Sequence, residues 1–544
     1  MGIAGALFAI AAAAVVTAWA WLGASVQMPP SPLASGEKLY CVSYSPFRGS
    51  QSPLGPEVPV DPRQIDEDLA QLKHVTDCVR TYSVDYGLDQ IAEIAKRHGI
   101  KVLQGLWLSN LPERSRWQVA TAIALAKRFP DVIAAVIVGN EVLLRGEMAA
   151  PELMRTIREV KSQVSMPVSY ADVWEFWLRN RDVASAVDFI TIHILPYWED
   201  FPIPARDAAA HVDAIRAQVV GAFPGKDVFV GEFGWPSAGR MREAALPSPV
   251  NQARTMHEVL EHAKRENYRV NLIEAYDQPW KRQLEGTVGG HWGLFGAYRR
   301  EAKFTWGGVV SNHSQWHWQA TGGVAFAAVI FATALVLSRR TKARGDVGGW
   351  LRIAAIATAP GILIGWTLAN VPLESLTVGD WLRSLAWAAA ALVSPVVGAA
   401  AVVSRTTAPT FARVLGRGAQ RPRGPLTLGL GVVRIALAVL AVQAALGLVF
   451  DPRYRDFLFA PLTAATVPLL LATRGKPAIK EKLLGRWKRC LQAPAAETAV
   501  AATLTVSAIY IIGNESFANW QAVWFAAALL ALAFTLLQVQ DAPG

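Results

Sequence analysis

Two glutamates stand out for the company they keep: Glu141 in Gly139-Asn140-Glu141, and Glu232 in Gly231-Glu232-Phe233-Gly234-Trp235-Pro236-Ser237. Each follows a short apolar, β-branched run. Three more polar and aromatic stretches come just after, or at the end of, runs of the same kind. They are Tyr44-Ser45-Pro46, His193-Ile194-Leu195-Pro196-Tyr197-Trp198 and Glu274-Ala275-Tyr276-Asp277-Gln278-Pro279-Trp280-Lys281. Two carboxyl groups among aromatic and amide side chains suit cleavage of a glycosidic bond. One must carry a proton to the leaving oxygen, and the other must be ionised to attack the anomeric carbon or to activate water. Taken singly, either acid could simply cap a helix after a strand. It is the pair, set among Trp and Tyr, that points to chemistry.

Side chains so far apart in the chain need a scaffold that gathers strand ends. Eight short runs supply one: Leu39–Ser45, Cys78–Ser83, Lys101–Leu108, Ala134–Asn140, Pro167–Ala171, Phe189–Leu195, Val228–Glu232 and Val270–Ala275. Helical patterns fall between them, at Ile65–Thr76, Leu88–His98, Gln118–Phe129 and Pro151–Val164, the last with Pro at a helix start, where its missing N–H costs nothing. Alternating strands and helices predict a parallel sheet, and eight of them a closed (β/α)8 TIM barrel of roughly 250 residues, with its chemistry at the C-terminal strand ends. Glu141 then sits on the fourth strand and Glu232 on the seventh.

The rest of the chain has a different texture. Residues 35–312 carry 32 Lys+Arg against 34 Asp+Glu, whereas the remainder carries 21 against 9, so the overall charge of +10 belongs to the apolar part. That excludes the basic stripe of a nucleic-acid-binding domain. Residues 3–23 form an apolar run long enough to cross a bilayer, which takes roughly 20 residues. No Lys or Arg precedes it, so it reads as an uncleaved anchor. Seven more apolar runs follow near 318–338, 350–370, 382–403, 428–450, 457–473, 495–513 and 518–538. Loops 339–344, 405–423 and 474–489 hold four, five and seven Lys/Arg; the alternate loops hold only Arg453 and Arg455. The positive-inside rule makes the basic loops cytoplasmic. Eight spans result, with both chain ends inside and the barrel outside. The expected organisation is an anchor (1–24), a Pro-rich linker (25–37), an extracytoplasmic α/β barrel (38–310) and an all-α polytopic seven-helix transmembrane domain (311–544).

Smaller features read as follows. Arg352, Arg383 and Arg434 lie in or beside spans and are expected to snorkel toward helix ends. Ile479–Arg489 is either an interfacial amphipathic helix or a plain basic loop. Cys41, Cys78 and Cys490 are too few for a disulfide scaffold or a zinc cluster. Cys41 and Cys78 could be bridged, but buried thiols on neighbouring strands are the preferred reading, because such strands seldom offer good disulfide geometry. Cys490 is expected to be free. No metal-ligand spacing and no Gly-rich phosphate loop occurs, so no metal and no cofactor is expected.

These motifs resemble glycoside hydrolase family 17, the β-1,3-glucanase and glucan transglycosylase family, over most of residues 38–305. Gly139-Asn140-Glu141 resembles its acid/base motif and Gly231–Ser237 its nucleophile motif. Glu274–Lys281 resembles a third block and Gly293-Leu294-Phe295 the end of a fourth. The resemblance implies a retaining mechanism with Glu141 as acid/base and Glu232 as nucleophile, and Asn140 placed to bind the donor sugar's 2-OH. Tyr44, His193, Tyr197, Trp235 and Trp280 are candidate substrate contacts. Glu274, Gln278 and Lys281 are candidates to tune the two glutamates. Many plant and fungal members carry an acid at the position of Gln278. The added membrane part looks more like proteobacterial members implicated in β-1,3/β-1,6-glucan synthesis, including the rhizobial β-1,6-glucan synthase.

Three readings compete. In the first, a barrel facing the periplasm from the inner membrane transfers β-1,3-glucan to a sugar hydroxyl, forming β-1,6 linkages. In the second, it hydrolyses glucan. In the third, the membrane part is the active module, a platform for a glucan synthase in the same lipid bilayer, and the barrel only binds chain.

Overall fold

The computed structural model describes residues 2–55, 58–341, 346–416, 422, 424–472 and 494–538. Contacts divide the chain into two compact units. One comprises Val26–Gly239 and Ala244–Val310; the other comprises Met1–Ser25, Arg240–Glu243 and Ser311–Gly544.

The first unit is a closed parallel barrel of eight strands: β1 (Cys41–Ser43), β2 (Cys78–Arg80), β3 (Lys101–Leu106), β4 (Ile133–Asn140), β5 (Val168–Val173), β6 (Ile190–His193), β7 (Val228–Phe233) and β8 (Val270–Leu272). Each of the eight expected runs overlaps one strand, and three strands, Ile133–Asn140, Val168–Val173 and Val228–Phe233, extend one or two residues beyond theirs. The barrel closes where Cys41 and Val42 of β1 pair with Asn271 and Leu272 of β8. The strands are nearly all buried, as strands covered on both faces must be. Between them run helices that cover the outside. Pro62–Leu72 starts on Pro62, and the Asp61 side chain accepts from the backbone N–H of Arg63. Pro249–Arg265 is capped the same way by Ser248, which accepts from Asn251. Each such cap satisfies an orphan backbone donor and contributes about 1 kcal/mol. Val26–Gln27 and Val309–Val310 pair antiparallel, so the two ends of this unit lie side by side.

The cysteines correct the sequence reading. Cys41 on β1 and Cys78 on β2 form a disulfide, with Cα atoms 4.5 Å apart. The expectation of free thiols took neighbouring strands as flat. In a tight barrel adjacent strands twist and tilt, and these two side chains meet inside, in an apolar cluster with Leu103, Ala135, Ile137 and Phe229.

The second unit is helical. Among the described residues, seven helices are long and apolar enough to cross a membrane: Ile3–Leu22, Trp316–Arg340, Val347–Glu374, Val378–Ser404, Pro425–Phe450, Ala495–Glu515 and Trp520–Leu537. The eighth expected span appears as the shorter apolar helix Phe459–Ala472. Small residues let these helices approach closely. A Cβ on Gly323 would stand 2.2 Å from the carbonyl oxygen of Gly361, so the two helices touch backbone to backbone. Arg434 does not snorkel as expected. It is 2% exposed and donates to the carbonyls of Pro409 and Thr535, because the neighbouring segments offer acceptors closer than a helix end. Arg383 instead pairs with Asp380 in the first turn of its helix. Cys490 and Ile479–Arg489 lie outside the described residues, as do the whole of loop 474–489 and residues 342–344, 417–421 and 423 of the other two basic loops.

Candidate active site

The fourth and seventh strands deliver the two glutamates to one place. β4 ends in Gly139-Asn140, and Gly139 adopts φ +88°, where a Cβ would also meet Val142 at 2.8 Å. Glu141 then takes φ +53°, an uncommon left-handed conformation for a non-glycine residue. Its backbone N–H donates to the carbonyl of Ala171, 2.8 Å away at β5. Glu232 lies within β7, opposite His193 of β6 across a register shift. At Gly231 a Cβ would stand 2.2 Å from the Thr191 methyl, which is why the nucleophile motif needs glycine there.

One oxygen of Glu141, one oxygen of Glu232 and a ring nitrogen of His193 lie within 4.8 Å of one another. The Glu232 side chain is 5% exposed and that of Glu141 24%, so one carboxylate is set deep and the other faces the cleft. His193 Nδ1 is 2.7 Å from Glu141 Oε1. Its Nε2 is 3.2 Å from Arg80 Nη2. A guanidinium can only donate, so Nε2 accepts and the proton resides on Nδ1, which donates to Glu141. Arg80 is the hub of the floor: Nη1 donates to Glu232 Oε1 at 3.0 Å and to the Gly231 carbonyl at 2.7 Å, and Nη2 donates to Asn140 Oδ1 at 2.6 Å. The Tyr82 hydroxyl adds a 2.8 Å bond to Glu232 Oε1.

The electrostatics follow from this wiring. Burial pushes the Glu141 carboxyl up. The hydrogen bond from His193, with the charges of Arg145 and Arg80, outweighs it, and Glu141 is held below the usual carboxylate range. Burial, reinforced by the charge of Glu232, raises Tyr82 far above an ordinary phenol, so it stays a donor. Burial lifts Glu274 to about 7 even though Lys281, 2.9 Å away, pulls it down. Glu285 is raised too, by burial and by the charges of Glu141 and Glu232 against the opposing pull of Lys281.

The other residues singled out in the sequence divide into two groups. Asn140, His193, Glu274 and Lys281 share the neighbourhood of the carboxylates, and Trp280 packs beside them, with Lys281 over its ring and its indole N–H on Gln278. Gln278 itself is fully buried and bonded to the Ser45 carbonyl. Tyr44 is 1% exposed and its hydroxyl is spent on Asp68. Tyr197 and Trp235 are 0% exposed in an apolar cluster with Trp292 and Ile273. These four back the site rather than line it. Arg80, Tyr82 and Glu285 escaped the sequence reading. Arg80 left a signal, because an arginine in an otherwise apolar barrel strand must be buried and therefore paired.

The site matches known enzymes. Residues 41–293 match the family model described as BtgE/BtgC glycoside hydrolase domain. Glucan 1,3-beta-glucosidase of Saccharomyces cerevisiae is 27% identical over 252 residues, 42% of this chain and 80% of that protein. The protein of the same name from Arthroderma benhamiae is 28% identical over 264 residues, 44% of this chain and 83% of its own length. The crystal structure of a glycoside hydrolase family 17 β-1,3-glucanosyltransferase from Rhizomucor miehei aligns with 49% of this chain and 97% of its own, at 26% identity and a TM-score of 0.44. The chain is therefore an enzyme of the glycosidase class. Its barrel is similar to the BtgE/BtgC glycoside hydrolase domain and to glucan 1,3-beta-glucosidases.

Proposed function

We propose that this chain is a membrane-bound, retaining β-glucan transglycosylase that acts on β-1,3-glucan, with Glu232 as nucleophile and Glu141 as acid/base. The observation that carries the mechanism is the spacing of the two carboxylates. Their nearest oxygens approach within 4.8 Å, whereas an inverting enzyme keeps its carboxyls roughly 6.5–9.5 Å apart to admit a water. Glu232 attacks the anomeric carbon, and the bond to the leaving oxygen breaks as Glu141 gives that oxygen its proton. Glu141 then takes the proton of an acceptor hydroxyl, whose oxygen attacks the same carbon and releases Glu232. Asn140 accepts from Arg80 through its carbonyl oxygen, which leaves its amide N–H groups for the donor 2-OH.

The seven long apolar helices support anchoring in a lipid bilayer. The charge alternation of the loops supports a barrel facing the periplasm of a bacterial inner membrane, where glucan would emerge beside a synthase in the same membrane. A tethered enzyme meets chain ends at high local concentration, which favours transfer, with β-1,6 linkage or branching as the product class. The hydrolase reading draws on the names of the fungal relatives. One experiment separates the two: a β-1,3-glucan oligomer is fed to the protein and the products are followed over time by linkage analysis. Transfer gives products longer than the substrate, with a new linkage and little early reducing sugar. Only shorter oligomers, even at high acceptor concentration, would leave hydrolysis standing.

A further inference from the structure

Glu141 stands just past β4, in a turn, with φ +53°. A non-glycine residue keeps that conformation only where its surroundings over-determine it. The two peptide units that flank Glu141 show what does so. In the first, the Glu141 N–H donates to the Ala171 carbonyl at 2.8 Å, and the Asn140 carbonyl accepts from Nη1 of Arg145. In the second, the Glu141 carbonyl accepts from the backbone N–H of Arg145 at 2.9 Å. Arg145 thus holds a carbonyl on either side of the acid. The orientations of those two peptides set the direction in which the Glu141 side chain leaves the backbone.

The guanidinium is itself held in place. Its Nη2 donates to the Leu108 carbonyl, 2.8 Å away just beyond β3. Its carbon lies 4.2 Å from the centre of the Trp107 ring. Nη2 also meets Glu147 at 3.1 Å, but the two side chains are 22% and 26% exposed, and an ion pair so open to water carries little weight. The contacts that matter are the two carbonyls. Through them one planar fork ties the end of β3 to the end of β4, while Arg80 holds the Asn140 side chain by its Oδ1. Both arginines therefore act on the residue before the acid, one through its side chain and the other through its backbone.

We propose that Arg145 is a positioning residue for the acid/base: by fixing the Asn140–Glu141 peptide against the end of β3, it aims the Glu141 carboxyl at the leaving oxygen. The inference rests on the catalytic reading above. A group displaced by about 1 Å from its working geometry costs about 100-fold in rate.

The test uses the full chain and the variant Arg145→Lys. Lysine keeps the charge that acts on Glu141 but lacks the fork that reaches two carbonyls, so the loss it causes reports on placement. On a β-1,3-linked glucose pentamer, kcat/KM should fall about 100-fold. A 2,4-dinitrophenyl glycoside of the β-1,3-linked glucose dimer needs no acid to release its leaving group, and azide needs no base to attack the glycosyl-enzyme. With that donor and azide the variant should turn over at nearly the unmodified rate. An unchanged thermal transition shows that the variant is folded; Arg145→Gln, which can still donate to one carbonyl, takes its place if the transition falls. A native rate on the pentamer overturns the proposal. So does a loss of equal size on both donors, which marks damage to the whole site rather than a misdirected acid. Hydrogen exchange over residues 138–147 examines the brace with no catalysis involved: faster exchange confined to that stretch supports it, and unchanged exchange overturns it. Failure of the catalytic reading is distinct, because the unmodified protein then yields no product from either donor, and the exchange result still decides whether Arg145 holds the turn.

Discussion

Arg80 and Glu232 meet at 3.0 Å with their side chains 1% and 5% exposed. A charge withdrawn this far from water needs a partner in good geometry, and Arg80 gives one while also holding Asn140 and the Gly231 carbonyl. A lysine keeps the charge but loses the planar fork that serves these acceptors at once. Arg80→Lys is therefore expected to lower kcat by about 100-fold or more, equivalent to about 2.7 kcal/mol of barrier, with a smaller loss of Tm. Steady-state kinetics beside a melting curve checks this. A variant with native kcat would remove Arg80 from the machinery.

The roles of the two glutamates can be separated by rescue. Both Glu232→Ala and Glu141→Ala should lose nearly all activity on unactivated glucan. Azide can occupy the space left by either side chain. In Glu232→Ala it attacks directly and gives the inverted glycosyl azide. In Glu141→Ala it attacks the covalent intermediate and gives the retained one. An activated aryl glucoside donor and product analysis by NMR show which is formed. The opposite pattern would exchange the assignments.

The meeting of the two glutamates was legible from sequence because both end or follow β-branched runs with glycine at fixed offsets, and a barrel must bring such ends together. The strand count and all eight strand positions follow from the same period. What did not show is everything that depends on which way a side chain turns. Tyr44, Tyr197 and Trp235 sit at strand ends as expected, yet face into packing rather than the cleft. The disulfide depends on the twist of two strands, which spacing does not encode. Trp177, Trp235 and Trp292 are buried, whereas Trp174, Trp198 and Trp280 are only partly so.

The His193–Glu141 bond sets the pH dependence. In the proposed mechanism Glu141 must be protonated to act as acid in the first half-reaction, and its carboxyl is held below the usual range. kcat/KM should therefore fall as pH rises through that depressed value, giving an acidic optimum. His193→Gln removes the largest lowering influence, so Glu141 rises and the descending limb moves to higher pH. A limb that stays in place or moves down would break the link between this hydrogen bond and catalysis. The same depression means that ionised Glu141 stabilises the fold above the unfolded carboxylate pKa, a contribution lost as pH falls.

Glu274 offers a direct measurement. Burial raises it to about 7 while Lys281 opposes the rise. Removing the ammonium in Lys281→Met should push the carboxyl higher still, visible in the carboxyl ¹³C titration of glutamate-labelled barrel protein. Because the folded value lies above the unfolded one, the fold holds an extra proton between about 4.5 and 7, and this group's contribution to stability declines as pH rises through that window. A titration near the ordinary glutamate value, unmoved by Lys281→Met, would show that the side chain is solvated.

The topology can be read without any activity. Loops 339–344, 405–423 and 474–489 carry four, five and seven Lys/Arg, and the loops between them only Arg453 and Arg455. Basic residues in short loops resist translocation, so reporters fused after residues 344, 420 and 485 should all read as cytoplasmic. The fusion after 485 is the most informative. It follows Phe459–Ala472, the one expected span that does not stand among the seven long apolar helices of the described residues. If that segment crosses, reporters after 420 and 485 share a side, and one placed between Phe450 and Phe457 lies opposite. If it enters and returns, the reporter after 485 reads with the one near 451–456. In that case seven basic residues would be extracytoplasmic, against the charge rule. A cytoplasmic signal after 485 thus establishes eight spans. An extracytoplasmic one reduces them to seven and moves the C-terminus to the other side of the membrane.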